Sequence, residues 1–111
     1  MTRRVTIRFE RNPAMKLLTQ ALRQQLPPLG ATAKQHDPIA ICKFFTPDSS
    51  WTWYAMEFDG DDTFYGFVNG FEGEFGTFSL SELESVRGPL GLRIERDLYF
   101  KPTPFSKLPQ A

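Results

Sequence analysis

The stretch Trp51-Thr-Trp-Tyr-Ala-Met-Glu-Phe58, Asp59-Gly-Asp-Asp62, Thr63-Phe-Tyr-Gly-Phe-Val68 decides the fold. Two aromatic-rich runs of strand length flank a group with turn chemistry, and aromatic and β-branched side chains suit a half-buried pleated surface. A short connection makes two strands antiparallel neighbours. Toward the C-terminus, Asn69-Gly70 signals a second hairpin, with Phe71-Glu-Gly-Glu74 available to lengthen its loop, and Phe75 to Phe78 reads as another short strand. Toward the N-terminus, Thr46-Pro-Asp-Ser-Ser50 is a turn, preceded by a strand from Ile39 to Phe45. Four strands joined this way form a meander.

Helices flank it. Asn12-Pro13 offers an N-cap and a proline at the first helical position, and Met15, Leu18, Leu22 and Leu26 recur at helical spacing until Pro27-Pro28. That predicts a helix over residues 13–26 packed on the sheet, and residues 31–38 read as a loop. Ser79-Leu-Ser-Glu82 is a capping box, with Phe78 and Leu83 at the staple positions, so a short helix follows the meander and ends before Gly88-Pro89. Alternation from Arg4 to Phe9 fits an N-terminal strand, and Leu92 to Phe100 an edge strand. The expected class is α+β: a four- to five-stranded antiparallel meander sheet, an N-terminal helix packed on it, and a short capped helix after the sheet. One domain of 111 residues is expected, with a strand and helix region at 1–37 and a β-rich core at 38–108.

The neutral total conceals a segregation. Residues 44–86 hold nine carboxylates, no lysine and no arginine, whereas residues 1–43 carry eight basic and two acidic side chains. The same acidic block holds twelve of the sixteen aromatics. Such asymmetry points to a charged partner. Alternation sends Trp51, Trp53 and Ala55 to one face and Tyr54, Met56 and Phe58 to the other, so neither face is cleanly polar. Two readings stand. In one, the N-terminal helix covers one face while the capped helix and tail cover the other; in the second, part of one face is open and binds something.

Chemistry leaves little trace. The sole Cys42 excludes an intramolecular disulfide, and with the sole His36 it falls short of a zinc ligand set. The Asp59-Gly-Asp-Asp62 group fails the calcium-loop pattern, which wants Gly and Glu where Phe64 and Gly70 stand. No glycine run opens onto a phosphate-binding helix. No catalytic residue, cofactor or metal is expected. The first residues have no apolar run of a signal peptide, and no apolar stretch reaches membrane-spanning length, so a cytoplasmic protein is expected.

From Pro38 onward, Phe45-Thr-Pro-Asp48, Trp51-Thr-Trp53, Glu57-Phe-Asp59, Phe64-x-Gly66, Gly76-x-Phe78-Ser-Leu-Ser-Glu82-Leu, Arg87-Gly-Pro-Leu-Gly91 and Ile94-Glu-Arg-Asp97-Leu-Tyr-Phe100 stand in order. Together they resemble an uncharacterised bacterial family, domain of unknown function 2958, over about residues 38–108. The resemblance implies no established activity. It does imply accessory proteins of plasmids, integrative elements and phages, where small proteins often interfere with host defence. Glu95-Arg96-Asp97 in the matched part reads either as a binding or catalytic cluster or as a structural tie holding the tail.

The expectation is a non-enzymatic protein-binding module that antagonises a basic, nucleic-acid-handling host protein. Its surface would join Trp51, Trp53, Tyr54 and Tyr65 with Asp59, Asp61, Asp62, Glu72 and Glu74. One alternative is nucleic-acid binding through Arg3, Arg4, Arg8 and Arg11 with Lys16 and Arg23; another is a small enzyme with a carboxylate site. Self-association is left open.

Overall fold

The computed structural model describes residues 16–109. The strand expected at 4–9, the Asn12-Pro13 helix start and the arginines Arg3, Arg4, Arg8 and Arg11 lie outside them. The described chain runs α1 (Gln20–Gln25), β1 (Ile39–Ala40), β2 (Cys42–Phe45), β3 (Thr52–Phe58), β4 (Thr63–Asn69), β5 (Gly73–Ser79), α2 (Leu80–Ser85), β6 (Glu95–Arg96) and β7 (Thr103–Pro104). A 3-10 turn follows at Phe105–Lys107. The fold is α+β. Its five-stranded sheet has the order β5-β4-β3-β2-β6, with every neighbouring pair antiparallel. The meander is the expected one, and the tail adds its edge strand as β6. The β1 and β7 pairs form a separate two-stranded ladder, so the strand expected over 39–45 is broken at Ile41.

The first helix is shorter than its apolar spacing implies. It starts at Gln20, because the Thr19 hydroxyl accepts the Leu22 N–H at 3.2 Å and caps it there. Leu17 and Leu18 precede the helix and are still buried against the sheet. The second helix begins as the capping box requires, with Ser79 accepting the Glu82 N–H at 3.0 Å.

In β3, Ala55 pairs with Gly66 and Glu57 pairs with Tyr65, so Met56 is an extra residue. This β-bulge resets the alternation. Phe58 therefore joins Ala55, Phe44, Phe64 and Phe78 in the main core rather than siding with Tyr54 and Met56. Glu57, now opposite Tyr65, moves to the Tyr54 face.

Coverage of the faces also differs from expectation. Leu18, Leu22 and Leu26 around α1, Leu80 and Leu83 of α2, and Ile94 all pack into the same main core. Both helices thus sit on one face, because the β5-to-α2 connection has no residues to carry the helix across. The other face is covered by the C-terminal segment, where Phe100, Phe105 and Leu108 pack with Tyr54, Met56 and Phe67, and by the 28–38 loop, which Glu57 holds.

The bulge brings two backbones close. A Cβ on Gly66 would lie 1.8 Å from the Tyr54 carbonyl oxygen. That neighbour is backbone in the central strand pair and cannot swing away. Gly66→Ala should therefore destabilise the fold by about 3 kcal/mol, at the upper end of overpacking costs. Urea unfolding followed by tryptophan fluorescence measures it, and a midpoint equal to that of the parent would contradict the assignment.

Candidate functional site

The residues expected to form one acidic aromatic surface are divided by the fold. Asp59, Asp61 and Asp62 lie in the β3–β4 turn, while Glu72 and Glu74 lie at the β4–β5 hairpin. These turns close opposite ends of β4, a seven-residue strand, so they stand about 20 Å apart. Asp59 and Asp62 are also committed locally. One oxygen of Asp59 accepts the N–H groups of Asp61, Asp62 and Thr63 at 2.8–3.0 Å. Asp62 accepts the Ser81 hydroxyl at 2.7 Å and the Ser81 N–H at 2.9 Å, which supports the start of α2. These bonds hold both carboxyls below the usual carboxylate range, through the Thr63 N–H first for Asp59 and the Ser81 hydroxyl first for Asp62. Asp61 is exposed.

The four aromatics separate as well. Tyr54 is buried, packs with Phe100 and lies under the Lys43 ammonium. Tyr65 shares its face and stacks beside Phe75. Trp53 belongs to the helix-covered face, and Trp51 stacks on it with ring centroids 5.8 Å apart. Phe71 meets Trp51 edge-on at 5.3 Å and is 94% exposed. Trp51 is locked from behind, because a Cβ on Gly70 would lie 2.4 Å from its ring. The Thr46 hydroxyl accepts the Trp51 N–H at 3.1 Å and fixes its backbone. Trp51, Trp53 and Phe71 thus form one aromatic end beside Glu72. Val86, Arg87, Gly88 and Pro89 line the adjacent groove. The Arg87 guanidinium donates to the carbonyls of Glu84 and Val86.

Arg96 ties the tail to the front of the chain. It donates to the carbonyls of Lys16 and Leu17, the latter at 2.7 Å. Asp97 lies 3.7 Å from the Lys43 ammonium and accepts the Tyr99 N–H, while exposed Glu95 pairs in register with Phe45.

A cleft of about 560 Å³ opens on the Tyr54 face. Tyr65, Phe75 and Thr77 form its floor with Glu57, Phe105 and Pro38 stand at one side, and the loop from Leu29 to His36 closes the other. The loop descends through consecutive turns, with Ala31 donating to Pro28, Ala33 to Gly30 and Gln35 to Thr32. Gly30 takes φ +90°, which costs other residues strain. At its near end the loop is anchored on Glu57. One carboxylate oxygen accepts the Gly30 N–H at 2.7 Å, and the other accepts the Thr32 N–H at 2.8 Å and the Thr32 hydroxyl. At its far end Asp37 accepts the Ser106 N–H and hydroxyl at 2.8 and 2.7 Å. Glu57 is 3% exposed. Burial alone would raise its carboxyl, but the Thr32 hydroxyl and the Gly30 and Thr32 N–H groups outweigh that and hold it below the ordinary value.

Cys42 and His36 belong to different places. Cys42 is buried in the helix-covered core, where desolvation pushes its thiol up to about 12, and His36 lines the cleft on the other face. Among the described residues no group of three or more His, Cys, Asp or Glu could hold a metal, and no helix is long and apolar enough to cross a membrane. Among the described residues Glu57 is the one carboxylate lining the cleft.

The family model described as Protein of unknown function (DUF2958) matches residues 16–108. The chain belongs to that family. No curated protein and no solved structure matches the chain. The family match begins at residue 16 rather than at 38, so it takes in α1 and the loop that closes the cleft.

Sequence reasoning missed Glu57, Thr32, Phe75 and Phe105 as cleft residues. Two signals bore on Glu57: a lone charge inside the apolar run Tyr54-Ala-Met-Glu57-Phe58, and Gly66 inside the facing strand, a mark of a bulge or close approach. Nothing local connects Glu57 to Thr32. Because the folded-state pKa of Glu57 lies below its unfolded value, its stabilisation is complete above the unfolded value and is lost as pH falls through the folded one. Glu57→Gln should cost about 2 kcal/mol at neutral pH, as expected for charged hydrogen bonds. As pH falls below about 4.3, the ordinary Glu value, the gap should begin to close, and parent and variant should converge once pH is below the lowered folded value. Urea midpoints across the acid range test this, and a gap that stays constant with pH would refute it.

Proposed function

We infer that this chain is a non-enzymatic protein-binding module that engages a basic partner through its aromatic end. The observation that carries the reading is Phe71, 94% exposed at a hairpin tip yet propped edge-on by Trp51. A large ring standing in water gains apolar burial by entering a partner's pocket. Glu72 and Glu74 stand beside it, and the segment from 44 to 86 has no lysine or arginine to offset them. Such an edge steers a positively charged partner into register. Trp51 and Trp53 extend the contact, whereas Tyr54 is buried away from it.

The setting we propose is a mobile genetic element. A host defence protein that handles nucleic acid presents a basic phosphate-binding surface in the cytoplasm. The acidic edge of this chain competes for that surface. Affinity capture from host extract, followed by measurement with the purified partner, tests the reading. Phe71→Ala should weaken binding by about 2 kcal/mol, roughly thirtyfold, as a central hot spot does. Paired Glu72→Gln and Glu74→Gln changes should mainly slow association and flatten its salt dependence. Unfolding midpoints should hold, because all three side chains are exposed. Capture that survives Phe71→Ala undiminished would overturn the reading.

A further inference from the structure

We propose that the cleft beneath the 28–38 loop binds the guanidinium group of an arginine side chain carried by a polypeptide. The proposal stands apart from the aromatic end, which lies on the opposite face of the sheet.

Electrostatics favour a cation. Glu57 lies at the floor with 3% exposure and is stabilised by N–H and O–H dipoles. Among the described residues no lysine or arginine lines the cleft. Hydrogen bonds stabilise a buried anion but do not cancel its charge, and no described residue of the cleft wall offers a cation to offset it. The oxygen of Glu57 that takes the Gly30 N–H accepts no second bond, and a carboxylate oxygen has room for one.

The walls favour a planar cation. Tyr65 and Phe75 lie nearly parallel, 14° apart with centroids separated by 6.2 Å, and Phe105 meets Phe75 at 4.7 Å. Phe75 remains 41% exposed and Leu29 43%. A guanidinium stacks on such rings and sheds water more readily than a compact ammonium. Thr77 and Gln35 add polar atoms at the rim. The lack of a cation among the described lining residues also selects the source. Free arginine brings an α-carboxylate that would find no counter-ion there, whereas an arginine within a chain brings a neutral backbone.

Calorimetric titration of the full chain with N-acetyl-arginine amide, run at about pH 8, decides the matter. Saturable binding is expected, about tenfold or more tighter than for the neutral, similarly shaped N-acetyl-citrulline amide and than for free arginine. Thr77→Lys should abolish binding by placing a cation in the cleft, with an unchanged thermal melt because Thr77 is an exposed residue of β5. Phe71→Ala should leave it intact, which separates this site from the partner surface. Equal affinity for the citrulline amide, equal affinity for free arginine, no saturation by ~10 mM, or unchanged binding by folded Thr77→Lys would each overturn the proposal.

Discussion

The extra residue Met56 in the central strand is the constraint on which the rest of the structure depends. Strand side chains alternate with period two, so one inserted residue reverses every assignment that follows. Before the bulge, Ala55 faces the helices; after it, Phe58 does too and completes the ring cluster with Phe44, Phe64 and Phe78. The same reversal delivers Glu57 to the opposite face, where a carboxylate can be reached by the 28–38 loop. Gly66 permits the arrangement, because any side chain there would meet the Tyr54 carbonyl. Core completion and cleft formation are therefore one event in the backbone.

The acidic block acquires different meanings at different positions. Asp59 closes a turn, Asp62 supports a helix start, and Glu57 anchors a loop from beneath. Each places its charge where N–H donors converge, which is why no basic residue is needed nearby. Glu72 and Glu74, exposed at the hairpin, have no such task. The absence of lysine and arginine from the segment thus leaves two negative regions on opposite faces, one exposed beside Phe71 and one recessed beneath the loop.

Much of the architecture was legible. The meander, its turns and the Ser79 cap follow from interactions among residues close in the chain, and the structure shows them. The first helix was legible in type but not in extent, since Thr19 caps it within the described residues and the apolar spacing of Leu18 and Leu22 continues past that cap. The placement of α2 was misjudged because nothing in its own pattern distinguishes one apolar sheet face from the other. The candidate surface was misjudged for a related reason. Residues 59–62 and 72–74 are close in sequence, yet β4 separates them by its full length.

By itself the sequence determined the α+β class, the order of the strands, the hairpin positions and the segregation of charge, because periodicity, turn chemistry and composition are properties of neighbours along the chain. Only the tertiary structure decided which face each later side chain of β3 occupies, which face the helices share, and where a cleft forms. Those outcomes rest on a bulge and on the Glu57–Thr32 and Asp37–Ser106 bonds, which join residues 25 and 69 positions apart. Contacts over such separations are selected by how the whole backbone packs, and no local pattern encodes them.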